Sequence, residues 1–272
     1  MNFLYPFGVV YIIFRSSNNI GERTDNIKLV EKIRKSSESL KSIDSYLKTA
    51  LINDLPIKYK FDHIDNIVTN TQITPNNSCV SSSGVHGIDW SYRVSLWKQS
   101  PYNISLFLDS DTIFCDTSLI HNLFKFASET SVNIATNLHF SEDDGNPDNG
   151  VVLVKFPDAE STIDKLSKLT CGKDDQTALG NLKRIDKFSK NIKRLNNIYS
   201  LRFLPAKNQQ WTGKGRKFDH TMAVDKPVQI IHDYSLSTRD DYKTYCEDIN
   251  KESNKRRLYA RINNIDKYLV VY

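Results

Sequence analysis

The chain has 272 residues, 39% hydrophobic and 25% charged, enough to bury a sizeable core as one large domain or a domain with an appendage. Its 37 basic and 32 acidic side chains leave a formal charge of +5, which suits an anionic substrate but is too weak for a nucleic-acid footprint. Cys79, Cys115, Cys171 and Cys246 lie far apart with no Cys-x-x-Cys pair, a spacing that predicts neither a disulfide framework nor a zinc knuckle, and hence a reducing, cytoplasmic setting.

The apolar start, Met1 to Phe14, lacks a basic leader and a small-residue cleavage site and is too short to span a bilayer, so it reads as a first core strand. Gly8 to Phe14 is β-branched and aromatic and opens into the polar Arg15-Ser16-Ser17 loop. Thr24 is placed to cap a helix. Ile27, Val30, Ile33, Leu40, Ile43, Leu47 and Ala50 or Leu51 then recur at helical spacing, with a break expected near Ser36-Ser37 and Lys and Glu on the outer face. Pro56 ends that helix, Ile57 to Phe61 reads as a second strand, and 70–87 reads as a loop.

A helix is predicted over Asp89 to Gln99, with Trp90, Val94 and Trp97 inward. Helices are also expected through Leu119–Phe126, near 158–170 and near 174–186. Strands are expected at Val132–Thr136, Val151–Phe156, Ile198–Leu204 and Val228–His232. Residues 143–150 read as a turn-rich loop, and Lys207 to Lys217 as a solvated basic loop. From Thr238 the chain is charged and a helix is expected, with Lys251 to Arg257 reading as a solvated basic run. The expectation is an α/β domain over 1–236 with a helical extension over 237–272. Of two glycosylation sequons, at Asn76 and Asn103, the second abuts a buried strand, a poor place for a glycan.

The stretch with most chemistry is Ile104-Ser105-Leu106-Phe107-Leu108-Asp109-Ser110-Asp111-Thr112. An apolar run reads as a buried strand, and side-chain alternation would place both carboxylates on one face at its carboxyl end, where open α/β sheets bind ligands. Two like charges held together are costly alone and favourable around a divalent cation.

Arg93, the Pro101-Tyr102 turn and the Leu-Asp-x-Asp-Thr strand end resemble the core of GT-A-fold glycosyltransferases, above all the family 8-like nucleotide-diphospho-sugar transferases. Asn149-Gly150-Val151 resembles that family's Asn-x-Gly-Val strand entry, with Asn and Gly adjacent here. Asp174-Asp175-Gln176-Thr177-Ala178-Leu179 resembles its Asp-Gln-x-Ala-Leu helix start, and Ile230-Ile231-His232 its late metal-binding strand end.

The resemblance implies a mixed, mostly parallel Rossmann-like sheet flanked by helices, and sugar transfer from a nucleotide-diphosphate donor, UDP-linked by preference, to a glycan or other hydroxyl acceptor. It implies Mn²⁺ or Mg²⁺ on Asp109, Asp111 and His232. Phe14, Arg15 and Ser16 would contact the nucleoside, Ser110 and Lys214 the donor, and Asn149 the sugar. Arg93 would clamp phosphate or orient Asp109. Asp175, with Asp174 as helix cap and Gln176 beside it, would bind sugar or deprotonate the acceptor.

The plainer alternatives are a core histidine at His232, a surface arginine at Arg93, helix caps at Asp174 and Asp175, and a turn pair at Asn149-Gly150. The aspartate strand also resembles the first motif of haloacid-dehalogenase-type phosphatases, with Asp109 as nucleophile, although that motif normally opens the fold. A non-catalytic glycan-binding module is the remaining alternative.

Overall fold

The computed structural model describes residues 5–14, 25–53, 59–69, 86–138, 147–171 and 175–183, short pieces between 190 and 199, residues 227–232 and parts of 243–251. Its main sheet has seven strands, in the order β3, β2, β1, β4, β7, β6, β8. These are β1 (Tyr5–Ile13), β2 (Thr49–Asn53), β3 (Asn66–Thr69), β4 (Tyr102–Leu108), β6 (Ile134–Leu138), β7 (Pro147–Lys155) and β8 (Ile192–Arg194). β1 pairs in parallel with β2 and β4, β2 with β3, and β6 with β8, while β7 runs antiparallel to both β4 and β6. The sheet is therefore mixed and mostly parallel, with β7 the one reversed strand among those described.

Alternation along the strands divides the core into two layers. Val9, Tyr11 and Ile13 of β1, Leu106 and Leu108 of β4, and Val151 and Leu153 of β7 face one side. Val10, Phe107, Val152 and Val154 face the other. The first side is covered by helices α1 (Asp25–Ile43) and α3 (Ile120–Glu129), through Val30, Ile33, Leu40, Leu123 and Phe124. The second is covered by α2 (His86–Leu96), α4 (Glu160–Leu169) and α5 (Asp175–Lys183), through Val94, Ile163, Leu166 and Leu179. Strands buried on both faces read as continuous apolar runs, as β2 and β4 do.

Several expectations change. Helix α1 passes unbroken through Ser36-Ser37, because these serines are buried and bonded within the fold. Ser37 Oγ donates to the Arg34 carbonyl, and Ser39 Oγ donates to the Ser36 carbonyl while accepting from the Phe114 backbone N–H. The helix stops at Ile43, where Asp44 Oδ1 accepts the N–H groups of Tyr46 and Leu47. The apolar run at Leu47 to Leu51 then enters strand β2 rather than a further helical turn. A short apolar run carries no periodicity to separate the two states.

The second strand is thus 49–53, not 57–61, and β3 at Asn66–Thr69 was not anticipated. Within the expected 143–150 loop, Pro147 to Gly150 belong to β7. The strand expected at 198–204 and the loop at 207–217 lie almost wholly outside the described residues.

A small second sheet pairs β5 (Thr112–Phe114) antiparallel with β9 (Ile230–His232). Beside it, the expectation that the cysteines form no disulfide is overturned. Cys115 follows β5 directly and is disulfide-bonded to buried Cys246, with Cα atoms 5.2 Å apart, and Cys171 is disulfide-bonded too. The sequence separation of 131 between Cys115 and Cys246 concealed this, because sequence separation does not measure distance in a folded chain. No helix among the described residues is long and apolar enough to cross a membrane.

Candidate metal centre

Strand β4 ends at Leu108, and Asp109 follows with its backbone N–H donating to the Gly150 carbonyl at 2.9 Å. The chain then turns tightly. Thr112 Oγ1 donates to the Asp109 carbonyl at 2.9 Å, closing a turn over Ser110 and Asp111 that leads into β5. The two carboxylates therefore meet across a turn, not by alternation along one strand as the sequence suggested.

Thr112 stands opposite His232 in the β5–β9 ladder, and that register carries the imidazole to the aspartates. His232 Nε2 lies 3.2 Å from Asp111 Oδ1 and 3.5 Å from Asp109 Oδ2. One ligand atom from each of the three residues falls within a common span of 4.8 Å. The imidazole forms a buried wall, while the Asp109 and Asp111 side chains keep 28% and 19% of their surface open. Two carboxylate oxygens and one imidazole nitrogen form a hard-to-borderline donor set, suited to Mn²⁺ or Mg²⁺.

The surroundings orient this set. Arg93, on α2, donates from Nη2 to Asp109 Oδ1, and its guanidinium lies 5.4 Å from the Trp90 ring centroid. The side chain is buried, so it is no surface arginine. Its hydrogen bond engages Asp109 Oδ1, while Asp109 Oδ2 is the oxygen near His232.

Burial pushes the Asp111 carboxyl up, but the hydrogen bond and charge of His232 and the charge of Lys32 outweigh it and hold the group below its usual range. Lys32 escaped the sequence reading, which put the lysines of α1 outward. It is 8% exposed, next to Ile33 on the inward stripe of α1. That adjacency was its only sequence signal.

A buried hydroxyl chain completes the support. The Tyr11 hydroxyl is 2.8 Å from Ser36 Oγ, which is 3.0 Å from Thr112 Oγ1. With the Thr112 proton on the Asp109 carbonyl, the chain runs donor to acceptor from Tyr11 through Ser36 to Thr112. Burial raises the Tyr11 hydroxyl well above its ordinary value, so it stays a donor. No sequence motif marked these three residues as a group.

Other expected site residues are placed in part. Phe14 follows β1 and meets Tyr92 edge-on at 6.2 Å, one residue from Arg93. Asn149 and Gly150 lie in β7, beside Asp109, rather than in a turn. Asp175 and Gln176 open α5, whose Ala178, Leu179 and Leu182 pack in the same core layer as Val152 and Tyr92; the side chains of Asp175 and Gln176 lie outside the described set. Arg15, Ser16, Asp174 and Lys214 also lie outside the described residues.

Neither a protein-family model nor a curated protein sequence matches the chain. Solved structures do. Mouse xyloside xylosyltransferase 1, in its apo form, matches with a TM-score of 0.58 and 10% identity over 86% of this chain and 99% of that one. The bifunctional glycosyltransferase WbbM matches at 0.56 and 12% identity over 93% of this chain, which spans 52% of WbbM. The galactosyltransferase LgtC, solved with donor and acceptor sugar analogues, matches at 0.50 and 15% identity over 91% of this chain and 95% of LgtC. At such identities the likeness is one of fold: the chain has the GT-A-like mixed sheet of these glycosyltransferases.

Proposed function

We propose that this chain is a metal-dependent glycosyltransferase that moves a sugar from a nucleotide-diphosphate donor to a hydroxyl acceptor. The observation that carries the reading is the meeting of Asp109, Asp111 and His232 at the carboxyl end of β4, within a fold shared with glycosyltransferases of known structure. In the reaction the bond from the anomeric carbon to the diphosphate oxygen breaks, that carbon bonds to the acceptor oxygen, and the acceptor proton passes to a base. A divalent ion on the three residues would neutralise the charge developing on the diphosphate.

The residues of the chain then take these roles. Arg93 and the Gly150 carbonyl fix Asp109, and Thr112 fixes the turn that presents Asp111. Lys32 adds a buried positive charge that lowers the Asp111 carboxyl. Phe14, Arg15 and Ser16 would meet the nucleoside, Ser110 and Lys214 the diphosphate, and Asn149 the sugar. Asp175, with Gln176 beside it and Asp174 serving as helix cap, would bind the sugar or deprotonate the acceptor. A UDP-linked donor and Mn²⁺ are favoured, the latter because imidazole is softer than carboxylate. The transferase domain would span 1–236, with 237–272 its extension. The disulfide pairs favour an oxidising compartment over the cytoplasm.

The test pairs binding with turnover. Melting curves are recorded against UDP-, GDP-, CMP- and dTDP-linked sugars with and without Mn²⁺, since a ligand of the native state raises Tm by mass action. A metal-dependent rise with one nucleotide class is expected, and Asp111→Asn should abolish both that rise and turnover while keeping the fold. A rise only with metal plus phosphate mimics would favour the phosphatase reading. Flat curves throughout would favour a non-catalytic glycan-binding module.

A further inference from the structure

Gly150 occupies a place where any side chain would run into the His232 ring. A Cβ built on it would lie 1.9 Å from His232 Cε1, 2.0 Å from Nδ1 and 2.8 Å from Nε2. Separations under 3.0 Å are essentially never adopted by real Cβ atoms, so the imidazole rests directly on the bare backbone of β7. The φ angle of Gly150 lies outside the left-handed region, so the position needs glycine for space and not for conformation. The same residue accepts the Asp109 N–H at 2.9 Å. One residue on the reversed strand therefore touches both sides of the triad, one through its carbonyl and the other through its missing side chain.

The ring's orientation shows what the contact does. Its Cε1–Nδ1 edge faces Gly150, while Nε2 is 3.2 Å from Asp111 and 3.5 Å from Asp109. A side chain at 150 would push against that edge, and His232 is anchored behind by its place in β9 opposite Thr112. The ring tip would have to swing, and its ligating nitrogen with it.

We propose that Gly150 is the positioning residue of the metal centre: the absence of its side chain sets where the His232 ligand atom stands relative to Asp109 and Asp111. The proposal rests on the metal-dependent reading above, and it adds a steric determinant that acts through His232 without touching the ion. Val151, next along β7, is fully buried on the opposite face and has no such part.

A double-mutant cycle tests it with Mn²⁺ alone as the probe, using calorimetric titration and melting curves on the full chain. Gly150→Ala should weaken Mn²⁺ binding by about tenfold or more, the usual effect of disturbing a group that orients a ligand, and should lower Tm. In a His232→Ala background, which empties the space the new methyl needs, Gly150→Ala should cost little further in either measurement, the non-additivity expected of residues in contact. Should Gly150→Ala fail to fold, recovery of folding in the double variant supports the proposal, and a double variant that also fails overturns it. Wild-type Mn²⁺ affinity in Gly150→Ala, or a full additional loss on top of His232→Ala, overturns it as well. A wild-type chain that binds no Mn²⁺ would sink the metal reading and with it the metal role of Gly150. The Tm cycle would still decide whether Gly150 places His232.

Discussion

At the scale of single residues, the charges of this chain act where their hydrogen bonds are, and one of them lies far from the site. Asp65 Oδ2 accepts from Lys41 Nζ at 2.7 Å and from the Thr49 N–H and hydroxyl at 2.8 Å each, at the end of β2 where the strand begins. Burial raises its carboxyl, but these donors outweigh burial and hold it below the ordinary value. A carboxyl depressed in the folded state contributes stability that is present above its unfolded value, about 3.9, and is lost as pH falls through the folded value. Asp65→Asn should therefore cost about 1–2 kcal/mol at neutral pH, and the gap to wild type should close as the solution is taken below about pH 4. Urea unfolding from pH 3 to 8 measures it, and a gap independent of pH would show that charge is not what Asp65 contributes. Asp109 and Asp111 are legible in the sequence, because a carboxylate pair after an apolar run is a local pattern, whereas His232 enters only through the family resemblance. Lys32 was not legible, because burial of one lysine depends on what the helix packs against.

At the scale of elements, the site is assembled by contacts between segments. Helix α1 docks on β5 through small hydroxyl residues, and the Tyr11–Ser36–Thr112 chain ties β1, α1 and the aspartate turn together inside the core. Ser36→Ala would leave the buried Tyr11 hydroxyl without its acceptor, at a cost of about 1–3 kcal/mol. Removing both partners is cheaper than stranding one. Adding Tyr11→Phe to Ser36→Ala should thus cost less than the two single losses together, with a coupling of roughly 1 kcal/mol. Denaturant titration of the four proteins checks this, and strict additivity would dissolve the proposed chain. The serines at 36 and 37 read as a helix break in sequence because serine competes for backbone hydrogen bonds. Here their hydroxyls have partners within the fold, and the helix continues.

At the scale of the molecule, two layers of helix enclose the sheet, and a covalent link holds a distant segment to it. The Cys115–Cys246 disulfide bridges a sequence separation of 131 and encloses β9 and thus His232. Cys246→Ala should lower stability by roughly 2–4 kcal/mol, read as a fall in Tm. An unchanged Tm would mean that packing alone holds the segment around Cys246 in place. The same link argues that Cys115, beside β5, steadies the small sheet on which the site depends.

By itself the sequence determined the elements with strong local signals. The buried strands β1, β4 and β7, the helices α2 to α5, and the strand carrying His232 all follow from apolar runs, helical spacing and turn residues that act over a few positions. It also supplied the residue types of the candidate site, two carboxylates by local pattern and an imidazole by the family resemblance. Only the tertiary structure decided that Leu47 to Leu51 enters a strand, that Arg93 faces Asp109, that Lys32 is buried, that Cys115 meets Cys246, and that Gly150 lies against the His232 ring. Each of these depends on segments tens of residues apart coming within a few ångströms, and such separations are set by packing of the whole chain rather than by any local preference.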